Sequence, residues 1–487
     1  MAFNRARPSV QWKLMARIYP FRALRYDTSR VNMADVVTQP YDKISPEMQN
    51  RYYAKSPYNL IRVVLGKCAP EDTDTENCYS RAAATFASWR EEGILREEPE
   101  PAIFGYAQTY SVPGTGETQE RRGFIALGQL YDYADQVVYR HEQTFPKHKS
   151  DRLALFKALR AYPEQIYMLY SDPTFTAEHL LFDTADGQPR PADLEITDEY
   201  GVHHRVWKLA DPSLIGKIVE NMSDKKLIIA DGHHRYETSV TYMHERAAEL
   251  NIKPVPYTTL SSRPEAQSAA AEKPAVSAAT DSNPLAAPAF PEAAMMMTFV
   301  NMDAPGITIL PTHRVVFGLH HFNGHTFAQK AEALFTVEEI PPTTDGHLPG
   351  AANLLKRLHE ARGVAFIAAT RDGDYLLTAK PEAAQALQGI SPRQAELDVV
   401  QLHRLVLEQL LGLNEEAVRA GNNVRYLREA AEALQQVGSG NADIAFLIKP
   451  VTLEQMKDIS LNLEVMPQKS TDFYPKLLSG LAMYALD

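Results

Sequence analysis

The sequence predicts an α+β protein of more than one domain, on three observations. Short β-prone runs and helical runs are interspersed without a regular strand–helix–strand alternation, and hairpin turn signals recur between them. At 487 residues the chain exceeds the size at which a single hydrophobic core stops growing. Residues 261–292 then change character, becoming rich in Ala, Pro and Ser with no apolar period, which reads as a disordered insertion. The expected division is a tail over residues 1–15, a first domain over 16–260, the insertion over 261–292, and a second α+β domain over 293–487.

Taken in order, ARIYPFRALRY, VVTQPYDKIS and YNLIRVVLG read as short strands and turns, and the β-branched residues at 58–65 predict sheet core. Residues 77–92 have helical spacing, with Tyr79, Ala83, Phe86 and Trp89 three or four apart. IFGYAQTYSVPGTGETQERRGFIALGQL places two β-prone runs around PGTG, a hairpin. Ser150 or Asp151 can cap a helix running to Arg160 with Leu155, Phe156 and Leu159 inward. EQIYMLYSD, LLFDTAD, VHHRVWKL and KLIIADG follow as strands, with a helix between the last two. After the insertion, order is expected to resume at MMMTFVNMD, a strand, and at ITILPTHRVV. GVAFIAAT, DYLLTA and DIAFLIK continue the pattern, with a helix over 399–411 between the last two.

Composition excludes some classes. With 45% hydrophobic and 23% charged residues the chain needs no staples, and a net charge of -11 offers no general attraction to nucleic acid. Two cysteines, Cys68 and Cys78, argue against a disulfide framework and form no CxxC metal pair, so a reducing cytoplasm is expected. The N-terminus lacks a signal-peptide apolar core, and no run approaches the roughly 20 apolar residues of a membrane span.

One stretch stands out for chemistry. LIIADGHHRYET breaks from an apolar run at Asp231 and Gly232 and resumes helical spacing beyond His233, His234 and Arg235. A strand turning through glycine into a helix brings backbone N–H groups and a partial positive charge to one point, which suits a phosphate or carboxylate. Arg235 can grip two oxygens, and Asp231 could hold magnesium or accept a hydroxyl proton. His234, Glu237 and Thr238 share one helix face, with Tyr236, Val240 and Met243 as the buried stripe opposite. An ordinary capped turn is the competing account. Two charge-assisted hydrogen bonds supply about 3 to 6 kcal/mol, and even millimolar binding needs about 4, so the turn requires help from elsewhere.

A second constellation, YRHEQTFPKHKSDR, gathers His141, Glu142, Lys147, Lys149 and Arg152 around a helix start. Its cations suit a polyphosphate, while His141 and Glu142 are candidates for metal holding or general-base duty. A zincin reading is weak because the two are adjacent. A third, MPQKSTDFYPK, holds Lys469 and Lys476 but lacks the glycines of a P-loop. QPYD, with Asp42, and PTHR, with Arg314, are lesser candidates.

Together PFRALRY, VVTQPYDKIS, SPYNLIRVVLGK, HEQTFPKHKSDRL, IADGHHRYET, LPTHRVV and MPQKSTDFYPKL resemble the bacterial family named domain of unknown function 1015 (DUF1015), from about residue 16 to residue 481. The DGHHR segment is similar to the phosphate-binding turn of the ParB and sulfiredoxin fold, which includes free L-serine kinases. That resemblance implies a mixed-sheet first domain in which Gly232, His233, His234 and Arg235 receive nucleotide phosphates; the sulfiredoxin cysteine is replaced by histidine. The expectation is a phosphotransferase using ATP or ADP with magnesium on a small hydroxylated metabolite, serine or phosphoserine first. Thr238, Lys147, Lys149 and Arg152 would help bind the nucleotide. Asp231, Glu142, His141 and Asp42 are the candidates for catalysis, and Asp231 and Glu142 for the metal. The alternatives are a nucleotide-binding regulator without turnover and a metal-dependent hydrolase. No nucleic-acid or membrane partner is expected.

Overall fold

The computed structural model describes residues 16–144, 146–184, 187–252, 286–342, 348–414, 416, 418 and 421–487, with the backbone alone at 146–148. The tail 1–15 and residues 261–285 of the expected insertion lie outside the described residues. The fold is α+β, in two compact units. The first comprises Met1–Tyr139, Phe145–Gly306 and Pro475–Asp487; the second comprises Arg140–Thr144 and Ile307–Tyr474.

The first unit is built on a nine-stranded mixed sheet. From one edge its strands are Val138–Tyr139, Leu227–Asp231, Ile166–Tyr170, Ala294–Asn301, Thr118–Gln129, Ile103–Ser111, His203–Leu209 and Leu194–Thr197, with Ile18–Tyr19 also on Thr118–Gln129. The expected hairpin forms, Phe104 opposite Ile125 through Ser111 opposite Thr118. The helix Cys78–Glu91 buries Ala82, Phe86 and Trp89, and Asn77 caps it reciprocally with Ser80. Helices Pro146–Leu159 and His233–Leu250 pack against each other. The first of these starts a turn earlier than a cap at Ser150 or Asp151 allows, because Pro146 fits the first helical turn.

The units divide otherwise than composition suggests. Ala294–Asn301 is buried along its whole length, antiparallel to Thr118–Gln129 and parallel to Ile166–Tyr170, so it completes the first unit's core. The end of the expected insertion is also ordered: Phe290 and Glu292 are buried, and the Glu292 carboxylate pairs with Arg160 and, at 3.0 Å, Arg246. A buried carboxylate between two guanidiniums belongs to a core margin and not to a linker.

Two segments expected as strands are helical. Ile61–Val64 makes one buried turn, with the Asn59 side chain accepting from the Ile61 N–H at 3.0 Å. Thr176–Phe182 is a helix whose entry is fixed by Asp172, which accepts from the Thr176 N–H at 3.1 Å. Short apolar runs have no period long enough to separate the two states, and the capping side chain upstream decides.

Cys68 and Cys78 are joined in a disulfide, contrary to the expectation of unpaired thiols. Their sulfurs and an Asp72 oxygen lie within 4.8 Å of one another. Asp72 folds the loop between them by accepting from the Ala69 and Cys78 N–H groups, which brings the cysteines together. With the thiols paired, cysteine usage no longer supports a reducing compartment. Among the described residues no helix is long and apolar enough to cross a membrane.

The second unit carries a six-stranded antiparallel sheet ordered Phe335–Ile340, Asp374–Ala379, Ala365–Thr370, Ile444–Ile448, His313–Val316 and Val424–Leu427. Its core joins Val315, Ile367 and Leu447 to Leu354, Leu358, Ala433 and Val437 from its helices. The helix expected over 399–411 appears as Asp398–Gln401 continuing into a π-helical stretch, Leu402–Leu410.

Candidate functional site

The strand Leu227–Asp231 is buried through Ala230, and its register against Ile166–Tyr170 shifts between Ile229 and Asp231. Gly232 then takes a left-handed backbone, φ 95°, before the helix His233–Leu250 begins. Two constraints select glycine there: the positive φ, and the Arg235 guanidinium, whose Nη2 would lie 3.2 Å from an added Cβ. No acidic residue occupies the first turn of this helix, and Gly232 offers no capping side chain.

Arg235 folds inward over that glycine. It is buried, and its Nη1 donates to the Gln165 carbonyl at 2.6 Å. Burial would weaken its hold on the proton, but Glu164, Asp231, Asp42 and Tyr41 outweigh burial and raise its pKa. Asp231 accepts from the Gly232 N–H at 2.9 Å through Oδ1 and pairs with Lys476 Nζ at 3.1 Å through Oδ2. Burial would raise the Asp231 carboxyl; the charges of Lys476, Arg235 and Lys43 prevail and hold it far below the usual carboxylate range. A carboxylate held so low is a weak proton acceptor, so the arrangement suits Asp231 to charge positioning rather than general-base work.

Around this turn the first unit assembles acids and bases from distant segments. Buried Glu164 accepts from the Tyr41 N–H at 3.0 Å and the Ser479 hydroxyl at 3.3 Å, with Arg152 Nη1 4.0 Å away. Arg152 lies over the Tyr41 ring at 4.0 Å and donates to the Val64 carbonyl at 2.7 Å. The Gln165 amide donates to the Leu478 carbonyl at 3.1 Å, and Gln108 donates to the Lys476 carbonyl at 2.8 Å. The turn Tyr41–Lys43 leaves Asp42 exposed.

The sequence-predicted residues therefore fall into groups. Asp231, Gly232, Arg235, Arg152 and Asp42 belong to one electrostatic neighbourhood in the first unit. His233 is buried and His234 half-buried in the first helical turn. Thr238 turns away from the exposed face assigned to it: it is buried, and its hydroxyl donates to the His234 carbonyl at 2.7 Å. Lys149 pairs with Glu237. The side chain of Lys147 lies outside the described residues. His141 and Glu142 belong to the second unit, where His141 Nε2 meets the Thr471 hydroxyl at 2.8 Å and Glu142 accepts from the Lys469 N–H at 2.9 Å. Glu164 and Gln165 escaped notice; the visible signal was an acid and an amide at the entry to the apolar run IYMLY.

The donor set can be tested against magnesium, which usually takes one or two carboxylates plus phosphate oxygens. Asp231 and Asp42 both act on the charge of Arg235 in the first unit, whereas Glu142, the other carboxylate expected to hold the metal, belongs to the second. Among the described residues, three metal-ligating groups converge only at Cys68, Asp72 and Cys78.

Comparison with known proteins gives limited likenesses among solved structures. A conserved hypothetical protein from Pyrococcus furiosus has a TM-score of 0.31 at 11% identity, covering 70% of this chain and 89% of that one. A free serine kinase in complex with AMP has a TM-score of 0.33 at 12% identity, covering 69% and 83%. SbnI with a C-terminal truncation, from Staphylococcus aureus, has a TM-score of 0.32 at 10% identity, covering 73% and 85%. No residue role is carried from these to this chain. No curated protein matches the sequence. The family described as "Protein of unknown function (DUF1015)" matches residues 18–400, and the chain belongs to that family.

Proposed function

We propose that the first unit binds a nucleotide at the start of the helix His233–Leu250 and transfers a phosphoryl group to or from a small hydroxylated metabolite. One observation carries the reading: an uncapped helix N-terminus behind a left-handed glycine lies among Arg235, Lys476 and Lys43, with Asp231 fixed between them. Helix N-termini with nearby cations suit phosphate, and phosphoryl transfer chiefly requires positioning and charge neutralisation. Asp231 and Asp42 would hold magnesium, which when bound neutralises phosphate charge. The residues of the chain then have distinct tasks. First-turn backbone N–H groups receive phosphate oxygens, Lys476 and Lys43 offset their charge, and Arg235 keeps the turn against Gln165. Lys149, in the first unit, is the candidate for contact with substrate.

One observation favours a regulator without turnover: Asp231 and Arg235, the groups best suited to chemistry, are both already engaged within the protein. A two-stage experiment separates the readings. ADP or ATP with magnesium should raise the melting temperature of the intact protein, since a ligand selective for the native state stabilises it by mass action. Labelled nucleotide with serine, and labelled phosphoserine with ADP, then test transfer in each direction. Stabilisation with transfer supports the phosphotransferase, stabilisation without transfer over a panel of hydroxylated metabolites supports the regulator, and no stabilisation by either nucleotide removes both.

A further inference from the structure

The disulfide of the first unit is tied to the candidate site through Arg152. Cys68 follows the helical turn Ile61–Val64 and is exposed, while Cys78 is buried and opens the helix Cys78–Glu91. Both segments hold the same pair of residues. The Val64 carbonyl accepts from Arg152 Nη1 at 2.7 Å, and Tyr79, next to Cys78, donates its hydroxyl to Asp151 Oδ1 at 2.7 Å. Asp151 Oδ2 in turn accepts from Arg152 Nε at 2.8 Å. The disulfide thus closes a ring that runs from Cys68 through Val64, Arg152, Asp151 and Tyr79 back to Cys78. Arg152 carries this ring to Glu164 and to the Tyr41 ring, each 4.0 Å away.

The first unit does not need the staple for its core, which joins Phe156, Met168, Ile229 and Met297 and includes neither cysteine. The cysteines are 10 residues apart, and closing so short a loop restricts the unfolded chain less than closing a long one. Exposure of Cys68 leaves the bond open to attack, and exposed disulfides are the more readily reduced ones. The loop between them also keeps the two sulfurs near one another. Asp72 accepts from the Ala69 and Cys78 N–H groups and pairs with Arg81 at 2.7 Å. Arg81 is half-exposed, and such pairs are weak, so they guide reclosure of the bond without replacing it.

We propose that Cys68–Cys78 is a reversible thiol switch, opened by a dithiol reductant, that sets how firmly Arg152 is held. Its effect on ligand rests on the nucleotide reading of the first unit; its chemistry does not. One thiolate of the reductant attacks the exposed Cys68 Sγ, the S–S bond breaks, and the electron pair leaves on Cys78 Sγ, which takes up a proton. The helix N-terminus at Cys78 favours that thiolate as the leaving group. The second thiolate of the reductant then attacks the reductant's own sulfur in the mixed disulfide and releases Cys68, which is protonated in turn. The reductant ends as a disulfide, and two electrons and two protons have passed to the protein. In the reduced state the ring is open, and Val64 and Tyr79 hold Arg152 and Asp151 independently.

The test equilibrates the intact protein with mixtures of reduced and oxidised dithiothreitol, counts thiols by alkylation, and measures ADP affinity with magnesium by calorimetry. Both thiols should appear together and reversibly, and ADP should bind the reduced form about fivefold or more weakly, as one charge-assisted contact loosens. Cys68→Ser should match the reduced wild type and ignore the reductant. Tyr79→Phe keeps the disulfide but cuts one arm of the ring, and should narrow the difference between the two forms; if Cys68→Ser fails to fold, this variant and the wild-type titration decide. Equal ADP affinities in the two wild-type forms, or a bond that is not reduced in the native protein, overturn the proposal. If ADP binds neither form, the nucleotide reading fails, and hydrogen exchange over residues 149–153 judges the switch: faster exchange on reduction supports it, and unchanged exchange overturns it.

Discussion

Arg235 and Arg314 are both buried, yet they are treated oppositely. Arg235 sits within reach of the charges of Glu164, Asp231 and Asp42, and its proton is held more tightly than in water. Arg314 rests on two carbonyls and a neutral ring, and its proton is held less tightly. The difference teaches how each charge is maintained. Where carboxylates supply the balance, the arginine is part of the framework, and removing an acid leaves uncompensated positive charge. Where two carbonyls and a neutral ring make the contacts and the nearby negative charge does not offset burial, the arginine is the costly member and its removal should be tolerated.

The largest expected effect tests that contrast. Glu164→Gln keeps the shape but removes the charge beside Arg152 and Arg235, and should cost about 3–5 kcal/mol in the urea transition of the first unit. Arg314→Met should cost less than about 2 kcal/mol in the second, because a desolvation penalty disappears with the hydrogen bonds. Equal costs would break the comparison.

Gly232→Ala comes next. An alanine at φ 95° is strained by about 1–2 kcal/mol, and the Arg235 guanidinium must shift away from the new methyl. Urea unfolding should show that loss, and no change would mean that the turn relaxes freely.

Two acids sharpen the comparison through pH. Asp231 has a folded pKa below its unfolded value, so its contribution is complete above about pH 4 and is lost as pH falls further toward the folded value. Lys476→Met should shrink that contribution and raise the pH at which its loss is complete, while the onset stays near the unfolded pKa. Asp374, in the second unit, is the reverse: burial raises it to about 6, and its Oδ2 has no hydrogen-bond partner. A raised carboxyl favours the folded state below the unfolded pKa, and that support is lost as pH rises from about 4 through 6. Asp374→Asn should therefore raise the second unit's urea midpoint more at about pH 8 than at about pH 5. A variant whose gain is the same at both pH values would contradict the raised pKa.

The smallest expected effect concerns Thr238. Its hydroxyl donates to a carbonyl one turn back within the helix, so Thr238→Val should change stability by about 1 kcal/mol or less, and nucleotide binding not at all. A loss of binding measured by calorimetry would return Thr238 to the site.

The strand, glycine and helix around Asp231 were legible because they are contiguous: an apolar run, one breaker and a helical period occur within a single stretch. The hairpin around PGTG was legible for the same reason. What joins segments was not. Glu164, Gln165 and Lys476 reach the turn from far along the chain, and no local pattern marks an acid that will accept the Tyr41 N–H. The inward fold of Arg235 was hidden too, because sequence spacing sets the helix face but not whether a long side chain turns back over the preceding glycine. The helices at Ile61–Val64 and Thr176–Phe182 were misread as strands because their apolar runs are too short to show a period. Assignment of Ala294–Asn301 to the first unit depended on strand pairing, which composition does not encode.

The most direct test of the central claim is a crystal structure of the intact protein with ADP and magnesium. The account predicts phosphate oxygens within hydrogen-bond distance of the backbone N–H groups opening the helix His233–Leu250, with Lys476 or Lys43 beside them. A nucleotide bound elsewhere, or bound with its phosphates pointing away from Gly232, would contradict it.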